Sequence, residues 1–266
     1  RAATSALHQK ATMVLLRSTG LLLGRLSGRQ LSSTSSGRSI TPLRKAWPRL
    51  QERFDQVKND NGVFELLPPD HQRVIDKKTS FSHKQAAVLV LLVTVNGEIS
   101  LIFTQRASHL AQHAAQISFP GGHWEDTDEN LIETAKRESI EELYQDTNHD
   151  FTSDLEILGV ATPLPSIRGV PVTPVLAGLL DTQLKSPVSD TYPGNPNEVD
   201  LVFSVPVSTL IQHQDTDHLH ATKFNPQNPD APAFPTNYGT IWGLTAYVLK
   251  PLLNEILEPV LFHPAK

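Results

Sequence analysis

The run Ala86–Val95, apolar except for Thr94, gives the clearest secondary-structure signal in the chain. It is far shorter than the roughly 20 apolar residues of a membrane-spanning helix, and its many valines favour a buried strand. Asn96-Gly97 follows directly, and this dipeptide between two apolar runs is a strong signal for a tight hairpin. The pattern therefore predicts a second strand over Ser100–Gln105.

The remaining hydrophobic pattern predicts strands and helices in no strict alternation. The predicted strands are Gln116–Phe119, Leu155–Ala161, Val172–Leu180 and Val199–Val205. The predicted helices are Trp47–Val57, a segment from Glu129 or Asn130 to Leu143, Val207–Gln212 and Trp242–Leu257. Pro120-Gly121-Gly122 reads as a break between elements. We expect an α+β fold with a mixed β-sheet between helices.

The first 50 residues differ in charge from the rest of the chain. They contain nine Lys and Arg and no Asp or Glu, whereas the other 216 residues carry 14 basic and 28 acidic side chains. An Arg-rich, Ser-rich and acid-free segment is typical of a mitochondrial transit peptide. We assign residues 1–45 to a leader that directs the protein to mitochondria, with the matrix as the expected compartment, and residues 46–266 to one domain.

Two alternatives remain open for this leader, namely a basic terminus without a targeting role and an arm that binds nucleic acid. The serine and leucine content disfavours the second, and we expect no nucleic-acid partner. The leucine run Val14–Leu26 is interrupted by Arg17 and Arg25, so no membrane span is expected. Met13 is the one methionine of the sequence, and translation that starts there is a further expectation.

The absence of cysteine excludes a disulfide scaffold, a thiolate zinc site, an iron–sulfur cluster and a cysteine nucleophile. A metal ion would have to be bound by oxygen or imidazole ligands. His213, His218 and His220 lie close together in the sequence, but their spacing fits no standard ligand pattern. We therefore do not expect a histidine metal site.

Three carboxylates fall on one face of the predicted helix that ends at Leu143. Glu138, Glu141 and Glu142 are three and four residues apart, which places them side by side. Such neighbours repel each other, and a divalent cation would neutralise the repulsion. All-oxygen ligation favours Mg²⁺ or Mn²⁺. The alternative is a solvated acidic helix face without a ligand.

The residues around this helix favour the metal interpretation. Gly121 and Gly122 precede it and permit close backbone approach, as at phosphate-binding loops. Arg137 stands beside the acids, where its guanidinium can orient a carboxylate or neutralise a phosphate. Glycines, an arginine and clustered acids together indicate chemistry on a phosphate group.

This stretch resembles the Nudix box. Glu129, seven further residues, Arg137-Glu138 and Glu141-Glu142 match its pattern of glutamate, Arg-Glu and Glu-Glu. The spacer between Gly122 and Glu129 has six residues, one more than the general pattern. Ser139 is polar where the family has a small or apolar residue. Tyr144 replaces the terminal glycine, and we expect the helix to continue to Gln145 instead of ending in a left-handed residue.

The preceding segment is similar to the motif of the coenzyme A diphosphatase branch of this family. Arg106, Ala107 and Phe119–Gly122 match it at the right spacing. Ala111 stands where that motif has arginine, and Ala115 stands where it has glycine. The longer spacer before Glu129 is also typical of that branch.

The resemblance implies a Nudix fold, an α-β-α sandwich, and a metal-dependent attack of water on the pyrophosphate of a small nucleotide-type substrate. It implies Glu138, Glu141 and Glu142 as metal ligands, with Glu138 or Glu141 also accepting the proton from water. Arg137 joins them as a catalytic residue, and Glu198 is a candidate additional ligand or base. Arg106, Gly121 and Gly122 are the implied substrate-binding residues.

Within the family, the implied substrate is coenzyme A or an acyl derivative, cleaved to 3′,5′-ADP and 4′-phosphopantetheine. Ala111 and Ala115 keep an alternative open, a hydrolase of ADP-ribose, dinucleotides or oxidised nucleotides. A non-catalytic structural subunit with the same fold is a second alternative. The intact Arg137-Glu138 and Glu141-Glu142 pairs disfavour it.

Overall fold

The structure is a computed structural model that describes residues 40–67, 84–111, 114–144, 150–213 and 231–263. The chain divides into two units, 1–39 and 40–266. The first unit lies outside the described residues. The second begins within the segment that the sequence analysis assigned to the leader, since the first helix of the domain already starts at Pro42.

Within the described residues, nine strands form a mixed sheet at the centre of the domain. Its strands are β1 (Val63–Phe64), β2 (Ala86–Val95), β3 (Glu98–Arg106), β4 (Ile117–Ser118), β5 (Gly121–His123), β6 (Leu155–Ala161), β7 (Leu164–Pro165), β8 (Pro171–Leu184) and β9 (Val199–Pro206). The main order is β1-β6-β8-β2-β3-β4, while β5 pairs with β2, β7 with β8 and β9 with β3. β2 runs parallel to β8, and β1 runs parallel to β6. The prediction of a mixed sheet is confirmed.

Helices cover the sheet and a small hairpin completes the domain. The helices are α1 (Pro42–Val57), α2 (Leu131–Leu143), α3 (Val207–His213), α4 (Gly243–Leu252) and α5 (Glu258–Leu261), with a π-helical segment at Leu253–Leu257 between the last two. The hairpin consists of β10 (Phe234–Thr236) and β11 (Gly239–Ile241). Among the described residues, no helix has the length and apolar content that crossing a membrane requires.

The side chains of β2 alternate between two separate hydrophobic cores. Val90 and Leu92 pack with α1 and α4, whereas Leu89 and Leu91 belong to a second core that includes residues of α2. A strand covered on both faces favours apolar residues on both, which explains why β2 is apolar at every position except Thr94. This arrangement is the α-β-α sandwich that the sequence analysis expected.

Several predicted boundaries are wrong. α1 begins a turn earlier than expected, at Pro42, because the Thr41 side chain accepts a hydrogen bond from the Arg44 N–H at 3.1 Å and caps the helix. The strand predicted over Gln116–Phe119 shortens to Ile117–Ser118. Conversely, Gly121-Gly122 does not break the sheet, because Gly121–His123 pairs with Ala86–Val88 as β5.

The ends of five strands lie together at one end of the sheet, next to α2. β2 and β8 begin there at Ala86 and Pro171, and β9 begins there at Val199. β3 and β5 end there, at Arg106 and His123. We call this end the site edge. The Asn96-Gly97 hairpin lies at the opposite edge, and its two residues have φ of +50° and +86°, the left-handed values of the predicted tight turn.

Candidate active site

Local sequence fixes the start and the buried face of α2. The Asn130 side chain caps the helix by accepting hydrogen bonds from the N–H groups of Ile132 and Glu133 at 2.9 and 3.1 Å. Ser139 is fully buried, and its hydroxyl donates to the Ala135 carbonyl oxygen at 2.6 Å. This bond within the helix lets a polar residue occupy the apolar position of the box.

Glu138 lies directly against the glycine strand β5. A methyl group added at Gly122 would stand 2.1 Å from Oε2 of Glu138, so the carboxylate occupies the space that any other residue would fill. Burial raises the pKa of Glu138, and the neighbouring Arg137 opposes that rise. Gly122 is therefore needed to hold this carboxylate close to the backbone of β5.

Glu142, one helical turn further along α2, is the most deeply buried acid of the site. Its Oε2 accepts hydrogen bonds from the Thr104 hydroxyl at 3.3 Å and the Gly121 N–H at 3.4 Å. The guanidinium Nη1 of Arg106 lies 3.9 Å from its Oε1. Burial raises the pKa of Glu142 to about 8, because one distant cation and two long hydrogen bonds do not compensate for desolvation.

Arg137 connects the other acids of the box. Its Nη1 lies 3.1 Å from Oε1 of Glu138 and 3.2 Å from Oε1 of Glu141. Its Nη2 also donates to the His123 carbonyl oxygen at 2.8 Å. The contact with His123 connects α2 to the end of β5. The contacts with Glu138 and Glu141 place Arg137 where it can orient a carboxylate, as the sequence predicted.

Asp128 is a site residue that the sequence analysis missed. Its buried carboxylate accepts two hydrogen bonds from Arg137, and these hold the pKa of Asp128 at about 2. Glu129, which the box pattern selects, is exposed to solvent. The six-residue spacer was the signal that the sequence offered. Because it places one extra residue before Glu129, both Asp128 and Glu129 are candidates for the acid that binds Arg137.

Glu198 approaches the site from the start of β9. Its charge raises the pKa of both Glu138 and Glu142, which places it among the box acids. The loop before it is bound to the end of α2, since the Asn195 N–H donates to the Glu142 carbonyl oxygen at 2.9 Å and the Glu198 N–H donates to the Asn195 carbonyl oxygen at 2.9 Å. This loop explains how a residue remote in sequence joins the helix.

The same loop corrects the prediction for the end of α2. The helix ends at Leu143, and Tyr144 has an extended backbone with φ of −126°. The Gly194 N–H donates to the Leu143 carbonyl oxygen at 3.0 Å. A hydrogen bond from a distant loop thus pairs a carbonyl group at the end of the helix, at the point where the family has a terminal glycine.

Arg106 occupies the end of β3 beside Glu142. Among the described residues, its buried Nε has no hydrogen-bond partner, and its contact with Glu142 is long at 3.9 Å. An arginine with a spare donor is well suited to a substrate phosphate. Its assignment as a substrate-binding residue stays a prediction, as do the assignments of Gly121 and Gly122.

Glu138 and Glu142 lie against the start of β5 without forming a closed metal site. Within the part of the chain that the structure describes, no three His, Asp or Glu side chains are grouped as ligands. The ligand set Glu138, Glu141 and Glu142 stays a prediction.

His213 contacts the Pro235 carbonyl oxygen through Nδ1 at 2.9 Å, whereas His218 and His220 lie outside the described residues.

The family follows from comparison with known proteins. The model of the NUDIX domain family matches residues 83–237, more than half of the chain, and this range includes the whole site. The chain belongs to the Nudix family. Proteins described as "Uncharacterized Nudix hydrolase NudL" from Escherichia fergusonii and from Escherichia coli are both 32% identical to it over 200 residues, covering 73% of this chain and 91% of each relative.

Solved structures of Nudix proteins also resemble part of this Nudix hydrolase. RenU, a Nudix hydrolase from M. smegmatis, is 19% identical with a TM-score of 0.35, covering 48% of this chain and 73% of that one. An Ap4A hydrolase from C. elegans is 22% identical with a TM-score of 0.34, covering 48% of this chain and 83% of that one.

Family membership establishes the general activity. The chain is a Nudix pyrophosphohydrolase that acts on nucleotide-linked substrates, and Nudix hydrolases generally use divalent metal ions. The expectation of an enzyme is therefore confirmed.

Proposed function

We propose that this Nudix hydrolase cleaves the pyrophosphate of coenzyme A or its acyl derivatives to 3′,5′-ADP and 4′-phosphopantetheine. The observation that carries the proposal is the position of Arg106. The motif of the coenzyme A branch requires this arginine, and its guanidinium lies 3.9 Å from the box acid Glu142 with an unpaired Nε. A substrate phosphate bound by Arg106 would therefore lie beside the acids that act on it.

The burial and mutual repulsion of the acids support a divalent cation. Glu142 carries a pKa of about 8 because it is buried with little compensation, and Glu138 and Glu198 raise that pKa further. Bringing several carboxylates together is unfavourable unless a cation neutralises them. We propose Mg²⁺ or Mn²⁺, with Glu138, Glu141 and Glu142 as ligands and Glu198 as a candidate fourth. Such an ion neutralises phosphate charge and lowers the pKa of bound water.

The side chains of the box position the acids and accept the proton that hydrolysis releases. Arg137 holds Glu138 and Glu141 through ion pairs and is itself fixed by Asp128. Glu138 or Glu141 accepts the proton of the attacking water, and the raised pKa of Glu138 favours Glu138 in that role. The glycines of β5 carry no side chain, so the Glu138 carboxylate and the backbone of β2 can pack directly against this strand.

Hydrolysis of ADP-ribose, dinucleotides or oxidised nucleotides is the second candidate function. It is favoured by Ala111, which is exposed and stands where the coenzyme A motif has arginine. The test is incubation of the purified domain, with Mg²⁺ and then with Mn²⁺, against coenzyme A, acyl-coenzyme A, NADH, ADP-ribose and nucleoside triphosphates. Release of 3′,5′-ADP at the highest kcat/KM supports the proposal, and a preference for ADP-ribose contradicts it.

We also propose that the protein acts in the mitochondrial matrix. The support is the basic and acid-free composition of residues 1–45. A fluorescent reporter fused to residues 13–45 should be imported into mitochondria. A uniform cytosolic signal would contradict the proposal.

A further inference from the structure

A tight turn projects from the site edge between β7 and β8. The Gly169 N–H donates to the Ser166 carbonyl oxygen at 2.8 Å, and the Ser166 N–H donates to the Val170 carbonyl oxygen at 2.8 Å. The Ser166 hydroxyl oxygen also accepts the Val170 N–H at 3.1 Å. Gly169 has φ of +78°, which glycine adopts without strain. The two residues at the tip, Ile167 and Arg168, are therefore presented on a well-defined backbone.

Strand pairing fixes where this turn lies relative to the catalytic box. Leu164 pairs with Val172, Val172 pairs with Ala86, and Ala86 pairs with His123. These three steps between neighbouring strands, at about 4.8 Å each, place the turn's base roughly 14 Å from β5 along the same edge. The turn is thus too far for contact with a pyrophosphate at Gly122, but within the span of a nucleotide derivative bound there.

Arg168 places an exposed positive charge at this edge without an acidic partner in the described part of the chain. Three other cations near the box face acids, since Arg106 approaches Glu142, Lys136 pairs with Glu133, and Arg137 pairs with Asp128. Arg168 is exposed, and in the described part of the chain it makes no hydrogen bond or ion pair. Its neighbour Ile167 is 86% exposed, so an apolar surface adjoins the free cation.

We infer that Arg168 is a specificity residue that binds a phosphate monoester on the nucleoside part of the substrate, outside the pyrophosphate that is cleaved. The inference rests on the proposed function, which places the pyrophosphate at β5. Ile167 contacts the adjacent sugar or base. Arg168 thus supplies a positive charge at the site edge in a chain whose exposed Ala111 stands where the coenzyme A motif has arginine.

The test compares substrates that differ by one peripheral phosphate. For Arg168→Ala, we expect the KM of coenzyme A to rise about tenfold while the KM of dephospho-coenzyme A changes less than about twofold, because only the first carries the additional phosphate. kcat should stay the same for both. Arg168→Lys should recover part of the affinity. Arg49→Ala, which removes an exposed arginine of α1, is the matched control and should change neither substrate.

Binding measurements separate this inference from the proposed function. Isothermal titration should show that the wild type binds 3′,5′-ADP more tightly than 5′-AMP and that Arg168→Ala loses this preference. Loss of the preference in an enzyme that does not cleave coenzyme A would reject the proposed substrate and keep the role of Arg168. An equal effect on both ligands, no effect on either, or no preference in the wild type would overturn the role of Arg168.

Discussion

Arg137 binds the Asp128 carboxylate in a bidentate fashion, with Nε 2.9 Å from Oδ1 and Nη2 3.0 Å from Oδ2. Asp128 is fixed in turn by the Glu125 N–H at 3.0 Å and the Thr134 hydroxyl at 2.9 Å. The pair therefore anchors the loop before α2 to the helix. It also sets the position from which Arg137 reaches Glu138 and Glu141.

Asp128→Asn should lower both stability and activity. The pKa of Asp128 is lowered to about 2, so its ionised form stabilises the fold above its ordinary pKa near 4, and this contribution disappears as the pH falls toward 2. We expect a loss of about 2 kcal/mol in the free energy of unfolding at pH 7, measured by urea denaturation. The difference from wild type should narrow below pH 4.

Turnover of Asp128→Asn should fall about tenfold, because Arg137 no longer holds Glu138 and Glu141 in place. Glu129→Gln is the matched control at the neighbouring exposed acid and should leave stability and turnover unchanged. If Glu129→Gln were the more damaging substitution, the assignment of Asp128 as the partner of Arg137 would be wrong.

The two glycines of β5 should respond differently to alanine. A Cβ at Gly121 would meet the Ala87 carbonyl oxygen at 2.3 Å and Val88 Cα at 2.6 Å, and these backbone atoms cannot move without separating β5 from β2. The three atoms nearest to a Cβ at Gly122 all belong to the Glu138 carboxylate, the closest at 2.1 Å, and a side-chain end can move. Gly121→Ala should therefore lower the melting temperature strongly.

Gly122→Ala should retain most of the stability and lose at least tenfold in kcat, because Glu138 is displaced. Thermal unfolding and steady-state kinetics on both variants make the comparison. Equal losses of stability would contradict the distinction between a backbone contact and a side-chain contact.

Ala115→Gly should stabilise the protein. Ala115 has φ of +58°, a left-handed conformation that costs a non-glycine residue about 1–2 kcal/mol, and it is exposed, so the substitution removes little packing. The larger chain entropy of glycine offsets part of the gain, and we expect about 0.5–1 kcal/mol by urea denaturation. Ala114→Gly, at the exposed neighbour, is the control and should not stabilise.

Glu142 should make the metal-free protein less stable as the pH rises. The pKa of Glu142 is raised to about 8, so between about pH 4.5 and 8 the unfolded chain loses a proton that the folded protein retains, and folding becomes less favourable. The melting temperature in EDTA should decrease over this range. Glu142→Gln should make that decrease smaller, and the raised pKa of Glu138 accounts for what remains.

The same Glu142→Gln variant should lose at least about 10²-fold in turnover with Mg²⁺, because a carboxylate assigned to the metal is gone. Glu141→Gln should show a comparable loss. Full activity in both variants would contradict the proposed ligand set.

Local patterns in the sequence determined much of the fold. The apolar run of β2, the Asn96-Gly97 turn and the carboxylate spacing of α2 each depend on residues that are neighbours along the chain, so period and turn chemistry suffice to predict them. The resemblance to the Nudix family could be recognised from the sequence for the same reason, because Arg137-Glu138 and Glu141-Glu142 lie on one helix.

Only the tertiary structure decided which acids act together. Asp128 rather than Glu129 binds Arg137, because the direction of the loop after β5 selects one of two adjacent acids. Glu198 joins the site through the loop that binds the end of α2. The short strand at Gly121–His123 depends on the approach of β2, which lies some 30 residues earlier in the chain. Such contacts depend on packing between distant segments, and no local pattern encodes them.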